Sequence, residues 1–177
     1  MLRNTLLIFL ISLTGLQFAQ GGEEYLEGKV IQGPFRTTVV DDGELSVLET
    51  GDTDFPVSLV LDVKRVDGVR VRSLVDKYDV AGSEPKIESL FFYPIRGKKN
   101  VIVLVSWELT SRGVGTYGTL YQVYAYERGS TNKLVANKFI RCGAQLSGID
   151  GYHEGEQVSF LYKNSASIKE YIKKGNN

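Results

Sequence analysis

Apolar and polar residues alternate along most of the chain, and turn residues punctuate the alternation. Residues 29–32 run up to Gly33-Pro34. Residues 36–40 meet Asp41-Asp42-Gly43, and 44–48 return; Asp-Gly between two β-branched runs signals a hairpin, because glycine tolerates positive φ. Val57, Leu59, Leu61 and Val63 share one face of the next strand, and Asp67-Gly68 turns the chain into 69–72 with Arg70 and Arg72 outward. Residues 87–93 form a strand closed by Pro94. The strongest pattern is 101–109: Val101, Val103, Val105, Trp107 and Leu109 make one apolar face. The opposite face begins apolar at Ile102 and Leu104 and turns polar at Ser106, Glu108 and Thr110. That predicts a central strand with one end reaching solvent. A Gly-rich loop leads to a strand over 119–126, the turn 129–132 to another over 134–140, and 157–162 reads as the last.

Two segments suit helices. In 167–175, Ser167 and Glu170 form a capping box, Ile168, Tyr171 and Ile172 share a face, and Lys173 and Lys174 oppose the dipole before Gly175. Residues 73–81 also offer a helix start at Ser73 and Asp76, but as a strand they carry charge on both faces; the pattern leaves helix and strand open. No fixed repeat or regular βαβ alternation is present. The expectation is a mainly β fold, an antiparallel sandwich or barrel-like meander of roughly eight to ten strands with a short C-terminal helix.

The first residues read as an address. Arg3 precedes the apolar run 6–13, and Ala19 and Gly21 fit the positions before a cut at Gly22. The run is too short and too interrupted to span a bilayer. Residues 1–21 are therefore expected to be a cleaved signal peptide and 22–177 one β-rich domain, with no lipidated cysteine at the cut and no membrane span. With one cysteine among 177 residues and no Asn-x-Ser/Thr acceptor, a bacterial periplasm suits the product better than the disulfide-rich secretions of complex cells.

Composition removes whole classes of chemistry. Lys and Arg total 21 against 21 Asp and Glu, so no basic excess is available for nucleic acid. One Cys and one His exclude a disulfide, cysteine zinc sites and multi-histidine metal sites. Cys142 reads as a small buried hydrophobe. Asp41-Asp42 and Asp52-Thr53-Asp54 are better explained by turn chemistry than by calcium, so neither a metal nor a cofactor is expected.

Gly113-Val114-Gly115-Thr116-Tyr117-Gly118 spells G-x-G-x-x-G, but a strand follows where a dinucleotide fold needs a helix. It reads as a flexible hairpin connection. His153 is the one imidazole, so a catalytic triad would centre on it with Asp150 or Glu154 as orienting carboxylate, yet no Gly-x-Ser-x-Gly elbow supplies a nucleophile. Glu108, on the polar end of its strand, is a carboxylate without an identifiable mate. Tyrosine is the unusual feature: Tyr117, Tyr121, Tyr124 and Tyr126 crowd one strand, with Tyr121 on one face and Tyr124 and Tyr126 on the other, and Tyr152 lies near His153. Large rings carrying hydroxyls suit interfaces and sugar stacking as well as core packing.

The absences together point to an exported, non-enzymatic protein-binding module of inhibitor or toxin-immunity type, whose partner is another protein such as a toxin or an extracytoplasmic enzyme. The alternatives are a secreted hydrolase centred on His153 and a carbohydrate- or small-ligand-binding β module using the tyrosine-rich arm.

Overall fold

Twin antiparallel sheets face each other in the computed structural model, which describes residues 27–175; the leader expected at 1–21 lies outside them. The first sheet is a meander of β1 (Lys29–Thr37), β2 (Gly43–Glu49), β3 (Val57–Lys64) and β4 (Arg70–Tyr78). The second contains β5 (Lys86–Ile95), β6 (Lys98–Ser111), β7 (Thr116–Arg128), β8 (Leu134–Ala136), β9 (Ser147–His153) and β10 (Glu156–Val158). Its order is β10-β9-β7-β6-β5, and β8 pairs with the far end of β7. The fold is thus mainly β, as the alternation implies, and it is a sandwich rather than a barrel. A short helix α1 (Lys138–Arg141) joins β8 towards β9, and α2 (Ser165–Gly175) ends the described chain.

Period-two burial builds the core between the sheets. Leu45, Val47, Leu59 and Leu61 of the first sheet meet Val101, Val103, Val105 and Trp107 of the second, all in one buried cluster. Each such fully buried side chain contributes about 1.5–3 kcal/mol. The Trp107 indole N–H donates to the Asp79 carbonyl at 2.8 Å, so the largest apolar side chain leaves no buried donor unpaired. On the outer side of the first sheet, Arg36, Glu44, Asp62 and Arg72 stand in one cross-strand row. Arg72 grips Asp62 with two 2.9 Å bonds and Arg70 bonds Glu44. The basic residues there form the balanced solvated face that their acidic neighbours imply.

A second core lies outside the second sheet. Ile102, Leu104, Val123 and Ala125 are covered by Ile140, Leu146, Ile168 and Ile172. The molecule therefore has three layers, and α2 shields one half of the outer face.

Several local expectations need correction. β1 does not stop at Gly33-Pro34 but passes through it, with register shifts that absorb the proline. Residues 73–81 resolve as strand up to Tyr78: β4 is an edge strand, and an extra residue at Val75 in its pairing with β3 leaves Arg72 and Lys77 on the outer side while Asp76 turns inward. The strand expected over 134–140 ends at Ala136, because the Asn137 side chain accepts from the N–H groups of Phe139 and Ile140 and starts α1. The strand expected over 157–162 is only β10, and β9, whose glycines hide its pattern, is an additional strand. α2 begins at Ser165, and its cap is Asn164, whose side chain accepts from the Ser167 N–H at 3.0 Å; Ser167 is inside the helix rather than its cap. Cys142 is exposed, not buried, because it ends α1 at the surface.

Candidate functional site

The polar end of β6 supplies the floor of a groove. Ser106, Glu108 and Thr110 alternate along β6 and stand opposite Tyr121, Thr119 and Tyr117 of β7. These six side chains share the outer face of the second sheet, beyond the half that α2 covers. Ser83, Glu84, Lys86 and Glu88 form one wall and Arg112 closes an end, giving an open groove of about 620 Å³. That volume lies within the usual range of small-ligand sites.

Both tyrosines of the floor are braced. Tyr117 stacks on Tyr152 of β9, with ring centroids 4.7 Å apart and planes 17° from parallel. The Arg112 guanidinium lies 4.4 Å from the centre of the Tyr117 ring. Tyr121 stacks on Phe160 at 5.7 Å and 11°. The Tyr117–Tyr152 pairing depends on a close approach of β7 and β9 at Gly118 and Gly151, which sit opposite each other at φ +128° and +149°. A Cβ on Gly118 would meet the Asp150 carbonyl oxygen at 2.4 Å, and one on Gly151 the Tyr117 carbonyl oxygen at 2.4 Å. The connection read as a flexible hairpin loop does join β6 to β7, through a 3₁₀ turn at Arg112–Val114. It is tied to the β9–β10 turn, since Gly155 N–H donates to the Gly115 carbonyl and Glu154 N–H to the Thr116 hydroxyl.

The electrostatics are acidic. Burial works to raise the Glu88 pKa, but the Ser106 hydroxyl at 2.8 Å and Lys86 at 3.0 Å outweigh it and hold the carboxyl below its ordinary value. That is opposite to what a proton donor in glycoside cleavage requires. Lys86 is engaged by Glu88 and Arg112 by Tyr117, while Glu84 and Glu108 have no ion pair among the described residues. The open charge of the groove is negative.

The structure divides the sequence candidates. Tyr117, Tyr121 and Tyr152 come together along the groove. Tyr124 and Tyr126 point into the sandwich: Tyr126 is 1% exposed, donates to Asp76 at 2.7 Å and lies 3.1 Å from the Tyr78 hydroxyl. Tyr124 packs edge-on to Tyr78 at 5.1 Å. Burial pushes the pKa of all three phenols up, so they stay neutral donors. Asp150 and His153 do not meet. Asp150 lies on the groove side of β9, bonded to Lys163 at 2.8 Å and the Ser159 hydroxyl at 3.0 Å. The Lys163 bond, chiefly, lowers its pKa. His153, an odd number of positions along the strand, takes the other face, and it is exposed with no side-chain partner among the described residues. Glu154 follows in the turn at φ +52°. Asp52 caps its own turn by accepting from the N–H groups of Asp54 and Phe55, which accounts for the Asp52-Thr53-Asp54 motif.

Glu108 is legible from the β6 pattern, but Glu84, Lys86 and Glu88 are not, because the β5–β6 pairing and the connection before β5 carry them to the groove. Among the described residues no helix is long and apolar enough to cross a membrane. The chain matches no protein-family model, no curated protein and no solved structure, so its function is argued from this geometry.

Proposed function

We propose that this chain is an exported binding protein, periplasmic and non-enzymatic, of inhibitor or toxin-immunity type, and that it receives a projecting cationic segment of a partner protein in the groove. The single observation behind this reading is the divided outer face of the second sheet. One half is sealed by α2, and the other offers two braced tyrosine rings beside Glu84 and Glu108, which have no ion pair among the described residues. Rigid aromatic anchors with a charged rim are the usual make-up of an energetic hot spot. A Lys or Arg carried in by a partner would meet both the carboxylates and the ring faces.

The test is affinity capture from periplasmic extract with the mature chain, followed by cross-linking to locate the contact. A stoichiometric protein cross-linked at Tyr117 or Tyr121, and lost from Glu108→Lys, supports the reading. A partner retained equally by Glu108→Lys, or cross-linked elsewhere, overturns it.

A carbohydrate at the same groove is the second reading, favoured by the juxtaposition of Tyr117 and Tyr121 with Thr110, Thr119 and Glu108. Glycan-array binding that Tyr121→Ala abolishes would establish it in place of the first. The hydrolase reading lacks an assembled site, since Asp150 is held by Lys163 and Ser159 and does not orient His153.

A further inference from the structure

One sheet edge stands unguarded. A free edge presents unpaired main-chain groups that can template another strand, and proteins ordinarily blunt it. In the first sheet, Pro34 and register shifts break β1, while β4 carries Arg70, Arg72 and Lys77 and an extra residue at Val75. In the second, β8 and β10 are three residues each. β5 is the remaining edge among the described residues, and its 89–93 stretch, Ser-Leu-Phe-Phe-Tyr, has no charge. Phe92 is 39% exposed there.

The ladder fixes which main-chain groups this edge offers. The Ala125 carbonyl accepts from the Asn137 N–H, on the side of β7 away from β6. Ala125 stands opposite Ile102, so Ile102 turns its own N–H and carbonyl the other way, towards β5, where it meets Phe91. Phe91 is thus bonded to β6, and Leu90 and Phe92 turn their N–H and carbonyl groups outward. Those groups have no partner among the described residues. The stretch is closed at both ends: the Gln32 side chain donates to the Ile87 carbonyl at 2.9 Å, and Pro94 has no N–H to give.

Charge distinguishes the two ends of β5. Glu84 and Glu88, in the groove wall, lie at its start. The turn into β6 at its finish carries Arg96, Lys98 and Lys99, and Lys99 has no ion pair among the described residues. An antiparallel copy of the same strand brings each basic turn alongside the other's acidic end.

We infer that β5 pairs with β5 of a second copy of this chain, antiparallel, about a two-fold axis at Phe91. Leu90 of one copy stands opposite Phe92 of the other and exchanges both main-chain bonds with it, and the axis repeats the exchange. On the inner face the exposed Phe92 ring packs on the opposing Leu90. On the outer face Lys169 already lies 5.2 Å from the centre of the Phe91 ring, so the new apolar burial is on the inner side. The pairing goes beyond the binding role proposed for the groove and does not rest on it.

The experiment is sedimentation velocity of the purified mature chain from about 1 to about 500 µM, with amide hydrogen exchange at both concentrations. So short a contact should give a dimer with a dissociation constant on the order of tens of micromolar. The Leu90 and Phe92 amides should exchange at least about threefold more slowly at the higher concentration. Phe92→Lys, at an exposed position, should keep the parent's circular dichroism spectrum and lose both the dimer and the slowing. Glu84→Lys should weaken association, and adding Lys99→Glu should recover it. A parent chain that stays monomeric, a dimer undiminished in Phe92→Lys, or Leu90 and Phe92 amides indifferent to concentration would overturn the inference.

Discussion

Tyr126 and Tyr124 sit two positions apart on one strand face, yet their hydroxyls have different standing. The Tyr126 hydroxyl joins Asp76 and Tyr78, whereas that of Tyr124 has no partner among the described residues. Tyr126→Phe should therefore cost about 1–3 kcal/mol in urea unfolding, because it strands a half-buried carboxylate oxygen and a buried phenol. Tyr124→Phe should change stability by less than about 0.5 kcal/mol. At the surface, Asp150 is held ionised chiefly by Lys163. A carboxyl whose folded pKa is depressed contributes stability above its unfolded pKa and loses it as pH falls through the folded one. Asp150→Asn should thus destabilise the protein by under about 1 kcal/mol at neutral pH, given the exposure of the pair. The difference from the parent should vanish in acid, as thermal unfolding across a pH series would show. Individual side chains are the scale at which the sequence says least. Cys142 reads as core by type and lies outside because a helix ends there. Asn164 and Ser167 are both good caps by type, and in the structure the cap is Asn164, which accepts from the Ser167 N–H.

Strands declare themselves in sequence when one pattern governs their whole length. β6 does so, and its change from Ile102 and Leu104 to Ser106, Glu108 and Thr110 marks the groove floor in the sequence itself. β9 does not, because Gly148 and Gly151 interrupt the alternation that β-propensity reads. Their reason is spatial: Gly151 must let the backbone of β7 approach, and a Cβ on Gly148 would lie 2.8 Å from the Phe160 ring. Gly118→Ala or Gly151→Ala should loosen β9 and β10 together, costing over about 2 kcal/mol and raising hydrogen exchange in 147–158 above that in β6. If the groove receives a partner as proposed, the same substitutions should weaken that binding, since the Tyr117–Tyr152 stack rests on that contact. Ile168 and Ile172, each 0% exposed, fasten α2 to the sheet. Ile172→Ala should cost about 2–5 kcal/mol in denaturant unfolding.

The molecule as a whole is a sandwich with a helix on one flank, and its two cores differ in origin. The inner core follows from alternation and is legible in the sequence. The outer core needs α1 and the 3₁₀ turn at Ala144–Leu146, which carry Ile140 and Leu146 and have too few residues for a helical period to be read. Truncation before Asn164 should leave the inner core folded and bare Ile102, Leu104 and Val123. Such a chain is expected to bind a hydrophobic dye and self-associate in sedimentation while keeping a β-type circular dichroism spectrum. The groove is half legible, since its floor follows one strand while its acidic wall comes from β5 and the β4–β5 connection, brought near by pairing over sequence distance. The open edge of β5 leaves no trace in the pattern, because strand order, not the residues of 89–93, puts it at the border of the sheet.

Glu108 and Thr110, both exposed, and the half-buried Thr119 stand on strands whose reverse side, at Trp107 and Leu120, packs the inner core. Substituting them one at a time should have small effect on folding, so under the proposed binding role a lineage facing changing adversaries would find here a fixed chassis with interchangeable lettering.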